Sequence, residues 1–258
     1  MAGKIVTEQS DSHVTLTISH PERRNALTVL MWQELAAQVR ELSREDGIRC
    51  VVIRGGTAEA FSAGADISEF GTARSTREQV VRFHEEYVGG CLNAIATCPV
   101  PVVAAIQGAC FGGGLEIAAV CDIRIAAKCA RFGAPVGRLG FPLAFGETEA
   151  LFRLVGPSVT AELLIEGRLF DARTAYEKGL VSRVVGNDDF EREVAAAVEN
   201  ICASGILAAR SHKRQIQRLK RDSAAVTSDE RMEVYSFAES EEYHHGIAAF
   251  LTKTDRQR

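Results

Sequence analysis

Apolar and polar positions alternate over residues 14–18, and a short β-branched run occupies residues 5–7. With the polar Ser10-Asp-Ser12 between them, the two read as a β-hairpin. From Thr28, which suits an N-cap, the spacing becomes helical. Leu35, Val39 and Leu42 share one face of a helix expected to run to about residue 45, where Asp46-Gly47 stops it. Residues 50–53 and 102–106 are apolar without alternation, as short buried strands are. A helix is expected over residues 77–96, then Pro99 and Pro101 reset the chain into the second of these strands. A further short strand is expected at 123–126, and residues 132–146, rich in Gly and Pro, read as a loop with little regular structure. Helices are expected at 147–154, 159–165, 172–178, 190–203, 207–221 and 229–238, interrupted by a strand-like 181–185. Strands and helices alternate in the first half and the last third is helical. That order predicts an α/β core, residues 1–200, with a helical C-terminal region, residues 201–258.

The stretch from Pro101 to Asp122 carries the candidate chemistry. Its apolar strand breaks at Gln107-Gly108, reaches Gly112-Gly113-Gly114, and continues as the apolar helix start Leu115-Glu116-Ile117-Ala118-Ala119-Val120. Three glycines put bare backbone beside a cleft, because no Cβ is in the way. A helix that starts there aims its first N–H groups outward, where they suit a negatively charged oxygen. Glu116 lies three residues after Gly113, about one turn on, so a possible base can share the side of that amide. The same features also occur in ordinary strand-to-helix turns, where an acid in the first turn only complements the dipole. The spacing matches neither a Walker phosphate loop nor the dinucleotide fingerprint.

Charge and cysteine usage narrow the classes. The chain of 258 residues has 25% charged residues and a net charge of −4, so no global basic field argues for nucleic acid. The basic run Lys213 to Arg221 has no interleaved aromatic residues and reads as a solvated or phosphate-facing helix surface. Seven cysteines without a Cys-x-x-Cys pair read as reduced thiols, and the six histidines have no metal-ligand spacing, so no metal is expected. With no apolar leader and no run long enough to span a bilayer, a cytoplasmic protein without membrane contact is expected.

Taken in order, several motifs resemble the crotonase, or enoyl-CoA hydratase/isomerase, family. They are Asn25-Ala-Leu27, Phe61-Ser-Ala-Gly-Ala-Asp-Ile67, the stretch 101–122, Phe132-Gly-Ala-Pro135, Arg153-Leu-Val-Gly156, Glu166-Gly167, Ala175 with Gly179-Leu-Val181, and Gly246-Ile-Ala-Ala-Phe250. The resemblance covers nearly the whole chain. It implies a spiral of ββα units, a C-terminal helical region that mediates trimerisation, and a homotrimer or dimer of trimers. It also implies an acyl-coenzyme A thioester as ligand, with coenzyme A as part of the substrate and no separate cofactor. Carried over by position, the backbone N–H groups of Ala65 and Gly113 hold the thioester oxygen and Glu116 is the catalytic carboxylate. The substrate-binding positions are Arg23, Arg24, Ala26, Ala63, Ala65, Asp66, Ile67, Ser68, Gly112, Gly113 and Val136, with Phe250 and Lys253 matching positions that can reach a neighbouring subunit's ligand.

One departure bears on the reaction. Family hydratases hold a water between two glutamates; the second position, after the proline of the Phe-Gly-x-Pro motif, is Val136 here. A valine neither binds water nor delivers a proton. Leu143 and Phe145 enter the loop that follows and are expected to reshape the acyl pocket. Glu147 replaces a family glycine; it either supplies a substitute acid or caps the next helix, the cap being the favoured reading. The resemblance therefore implies a hydratase-like lyase that adds water across a 2,3 double bond with Glu116 as base. The alternatives are another thioester-enolate reaction (isomerisation, decarboxylation or hydrolysis) or a weakly catalytic acyl-CoA-binding protein.

Overall fold

The structure is a computed structural model that describes the backbone of residues 2–255 and side chains as far as Thr252. Ten strands form two sheets: β1 (Lys4–Gln9), β2 (His13–Ser19), β3 (Cys50–Gly55), β4 (Ala60–Ser62), β5 (Val102–Ile106), β6 (Ala109–Phe111), β7 (Ile123–Ala127), β8 (Arg131–Gly133), β9 (Phe170–Asp171) and β10 (Arg183–Val185). The larger sheet has the order β1-β2-β3-β5-β7-β10 and the smaller β4-β6-β8-β9. The expected hairpin β1–β2 is antiparallel, with Ile5 opposite Ile18; β2, β3, β5, β7 and β10 then pair in parallel.

The connections explain the expected spiral. Strand β3 lies in the large sheet and its successor β4 in the small one. The pairs β5–β6 and β7–β8 repeat that step, and helical segments follow each pair. The small-sheet strands have only two or three residues each. No periodicity can be read from so short a segment, which is why the sequence disclosed the first sheet and not the second.

Helix α1 (Val29–Leu42) starts where expected: the Thr28 hydroxyl accepts from the Met31 N–H at 3.2 Å. It buries Met31, Trp32, Leu35, Ala36, Val39 and Leu42, and ends at Leu42 rather than near residue 45. The predicted helix over 77–96 is continuous but not uniform. It runs as an α-helical turn, Arg77–Val81, a π-helical stretch, Arg82–Val88, and α2 (Gly89–Thr97). Helix α3 (Gly113–Val120) follows the glycine turn, α4 (Phe145–Ala161) bends at Gly156-Pro157, and α5 (Phe190–Ala203) and α6 (Ile206–Arg221) come next. The 132–146 loop contains β8 and a 3-10 turn, Val136–Leu139, and the final helix Glu241–Asp255 was not foreseen from the sequence.

Strands β3, β5 and β7 are buried on both faces, as the apolar runs of β3 and β5 imply; β7 also buries Arg124. Val51, Ile53, Val102, Ala104 and Ile106 join the main core with Trp32, Leu35 and Ile117. Cys50, Val52, Val103, Ala105 and Ile125 instead pack against Phe190, Val194 and Val198 of α5. All seven thiols are free, five of them buried.

The basic run on α6 corrects the sequence reading at one residue. Lys213 is buried, not solvated: its Nζ lies 2.7 Å from Asp122 Oδ2 and donates to the Val100 carbonyl at 2.9 Å. It ties α6 to the large sheet at the start of β5, where Asp122 Oδ2 also accepts from the Val102 N–H. Among the described residues, no helix is long and apolar enough to cross a membrane.

Candidate active site

The crossing from β6 to α3 begins with Gly112, whose φ of +46° belongs to the region that favours glycine. Gly113 and Gly114 answer a packing requirement as well. A Cβ on Gly113 would come within 2.6 Å of the Trp32 ring, and one on Gly114 within 2.7 Å of the Ser62 carbonyl oxygen. The missing side chains make room for the protein's own packing, which seats α3 against α1 and β4. As the first residue of α3, Gly113 has an N–H with no intrahelical acceptor.

A second turn meets this one. Leu27 N–H donates to the Gly64 carbonyl at 2.8 Å, and Asp66 N–H donates to the Leu27 carbonyl at 2.9 Å. Along an extended segment alternate amides point opposite ways. The Ala65 N–H between these two bonds therefore points away from Leu27, toward Gly113, and has no acceptor among the described residues. Gly64 spans this approach at φ +103°. The partner segment is held by Asn25, fully buried and itself at φ +57°: its Oδ1 accepts from His20 N–H at 3.0 Å and its Nδ2 donates to the Ala60 carbonyl at 2.7 Å. An Asn tolerates this left-handed conformation better than most residues.

The two turns border a cavity of about 320 Å³. Ala63, Ala65, Ile67, Gly112, Gly113, Glu116, Val136 and Glu147 line it, so most of the expected site residues converge there. Leu143 lines it too, as expected, but Phe145 does not: it is 95% exposed. Asp66 and Ser68 are outside the lining and stabilise the loop. Asp66 Oδ1 accepts from Ser68 N–H at 3.0 Å and from Ser68 Oγ at 2.7 Å, and Arg23 lies 3.8 Å from the same oxygen. Arg23 and Arg24 are exposed beside that loop, Arg24 with φ +49°, and Ala26 is buried beneath it. Phe250 borders a different cavity, with Arg49, Leu207 and Phe237. The side chain of Lys253 lies outside the described residues.

Glu116 and Glu147 are the carboxylates of the cavity, 3% and 2% exposed. The Val136 side chain lines the same space, as the sequence indicated. Glu147 is both a cap and a cavity acid. One oxygen accepts from the Ala144 N–H at 3.0 Å, which secures the start of α4, and the other lies 2.6 Å from His84 Nδ1. Glu116, in contrast, makes no side-chain hydrogen bond to another described residue. Burial first, and then the negative charge of Glu147, push its carboxyl well above the usual carboxylate range; Arg74 pulls it back in part.

The sequence reading did not single out Trp32, Arg74 or His84, all of which line the cavity. A signal existed for His84. It shares the apolar stripe of its helix with Val88, Cys91 and Ile95, and a polar residue on a core-facing stripe calls for a partner. Arg74 follows a four-residue helical turn, Phe70–Ala73, and no pattern in the sequence marks it.

Comparison with known proteins agrees with this fold. The enoyl-CoA hydratase/isomerase family model matches residues 8–257. EchA8 of Mycobacterium bovis, named a probable enoyl-CoA hydratase, is 34% identical over 251 residues, which cover 96% of this chain and 95% of that protein. A solved enoyl-CoA hydratase/carnithine racemase from Magnetospirillum magneticum superposes with a TM-score of 0.94 at 40% identity, covering 96% of this chain and 92% of its own. Enoyl-CoA hydratase from Bacillus anthracis gives 0.90 at 28% identity, with 97% and 96% covered. The chain belongs to the enoyl-CoA hydratase/isomerase, or crotonase, family.

Proposed function

We propose that the protein is an enoyl-CoA hydratase in which Glu147 takes the place of the missing second glutamate. The observation that carries this reading is the pairing of Glu116 and Glu147 as buried carboxylates of one cavity that also holds the backbone of Ala65 and Gly113. In this reading the N–H groups of Ala65 and Gly113 donate to the thioester oxygen. Ala63 and Ile67 border the ligand, with Arg23 and Arg24 outside for the phosphates of coenzyme A.

Glu147, fixed by His84 and the Ala144 N–H, holds the attacking water together with Glu116. Glu116 removes a proton from that water as its oxygen bonds to C3. The electron pair of the 2,3 double bond moves toward the thioester, and the two N–H groups stabilise the enolate oxygen; each such donor contributes about 3 kcal/mol in comparable sites. Glu116 then returns the proton to C2, leaving a 3-hydroxyacyl thioester. Burial, and then the charge of Glu147, raise the proton affinity of Glu116, which suits a group that takes up the proton of the water.

The test is loss of the conjugated-thioester absorbance of crotonyl-CoA with purified protein. Loss that disappears in Glu116→Gln and drops sharply in Glu147→Gln supports the reading. Loss unaffected by Glu147→Gln would remove Glu147 from it, and none with the unaltered protein would remove hydration of this substrate.

For assembly, we infer a homotrimer built through the C-terminal helices. Leu207, Leu219, Met232, Tyr235, Ile247 and Leu251 are all exposed there, and exposed apolar side chains gathered on one region suit an interface. Light scattering after size exclusion gives the mass that decides it.

A further inference from the structure

Arg74 is the unexplained charge of the cavity. Its guanidinium lies over the rings of Phe70 and Phe141, 4.2 Å from each centroid, and 5.0 Å from that of Phe83. These ring faces attract the positive charge but are poor hydrogen-bond acceptors. Among the described residues Arg74 makes no side-chain hydrogen bond and no ion pair, and its Nε is buried without a partner. A guanidinium has five N–H donors in a fixed fork, and a buried donor left unmade is costly. Buried Arg124, by comparison, donates to the Leu180, Ala118 and Cys121 carbonyls. Arg74 is set in the wall of a cavity otherwise bordered on its side by Phe70, Phe83 and Phe141, rings that suit an aliphatic acyl chain.

A purely hydrocarbon acyl group would fill that space and leave the fork unsatisfied. A carboxylate fits it in shape, in charge and as a two-point acceptor. Glu116 and Glu147 already face the same cavity, so a third carboxylate is admitted only beside a cation, and Arg74 offers one with an unpaired donor. Glu116 and Glu147 are too far to pair with Arg74 directly, which leaves its donors available to a ligand.

We propose that Arg74 receives a carboxylate carried by the acyl portion of the substrate, so that the thioester bound is the coenzyme A monothioester of a dicarboxylic acid. The proposal rests on the hydratase reading for the reaction, but not for the binding it predicts. The other anionic source in an acyl-CoA, the phosphates of coenzyme A, is common to charged and uncharged thioesters, so a comparison of the two separates them.

The experiment is calorimetric binding of saturated probes: succinyl-, glutaryl- and adipyl-CoA against butanoyl-, pentanoyl- and hexanoyl-CoA. These probes contain no double bond and report charge recognition even if crotonyl-CoA hydration fails. At least one dicarboxylic probe is expected to bind about 10- to 100-fold tighter than its uncharged counterpart. Arg74→Met should remove that advantage and leave the uncharged probes within about threefold. Arg74→Lys, which keeps the charge and loses the fork, should retain part of it, and it serves alone if the methionine variant does not fold. Equal binding of the two series by the unaltered protein overturns the proposal. So does an equal loss for both series in Arg74→Met, which would place Arg74 at the coenzyme A phosphates.

Discussion

The cavity has two walls of different construction. One is the β6–α3 crossing with the Ala65 turn, where the polar groups are main chain: two N–H groups without acceptors among the described residues, and glycines that let backbone and the Trp32 ring approach. The other is formed by the 70–88 segment and the 134–147 loop. There the backbone is broken into short α-helical turns, a π-helical stretch and a 3-10 turn, and the polar groups facing the cavity are side chains: Arg74, His84 and Glu147 among them. A wall made of main chain tolerates few sequences and leaves a motif. A wall made of side chains can be assembled from several positions, so a carboxylate can enter it from position 147 where position 136 holds a valine.

Four substitutions and titrations break or sharpen this contrast. The largest effect is expected at Glu116, the one side chain that the main-chain wall contributes to the chemistry. Glu116→Gln should lower kcat for crotonyl-CoA by about 10²–10⁴-fold, with KM little changed, measured at saturating substrate. Next comes Glu147→Gln, which keeps an oxygen for the Ala144 N–H and hence the helix start, but loses the charge. About a 10²-fold fall in kcat is expected. The residual activity should have its acid limb at lower pH than the unaltered protein, because the negative charge of Glu147 helps hold the Glu116 proton. A limb that stays in place would show that the two carboxyls do not sense one another.

Gly113→Ala tests the main-chain wall through stability. The new Cβ would sit 2.6 Å from the Trp32 ring, and overpacking of this kind costs about 1–3 kcal/mol, read from urea unfolding. The smallest effect concerns the pH dependence of folding. The Glu116 carboxyl holds its proton more tightly folded than unfolded, so the native state binds the extra proton between the unfolded value, 4.5, and its raised one. Stability contributed by this group is therefore fully present below pH 4.5 and lost as pH rises through the raised value. Glu116→Gln should melt higher than the unaltered protein at pH 8 and lose that advantage as pH falls toward 4.5, measured by differential scanning calorimetry.

Sequence legibility followed the same division. Helix α1, with its Thr28 cap, is set by local periodicity and strands β3, β5 and β7 by short, mostly apolar runs, so all are readable. The positions of Glu116, Gly113 and Ala65 came with the motif, because a tight turn constrains residue type. The two-residue strand β9 and the final helix Glu241–Asp255 did not, since one is too short to have a period and the other lacks a clean apolar stripe. Arg74 and His84 reach the cavity only through tertiary placement. Glu147 was framed as a choice between cap and acid, whereas its two oxygens face different partners.

The π-helical stretch Arg82–Val88 has a consequence for how this site can be altered. Its wider turn, closed by Gly89 N–H on the His84 carbonyl, accommodates one residue more than an α-helix of the same span. Each residue turns a helix by about 100°. Deleting one residue between His84 and Gly89 would permit a regular α-helix, but would rotate His84 away from Glu147 or drag Cys91, Leu92 and Ile95 out of the core. The spare residue acts as a phase adjuster between two faces that must be satisfied together, so this helix should accept many substitutions along its outer side and hardly any change in length.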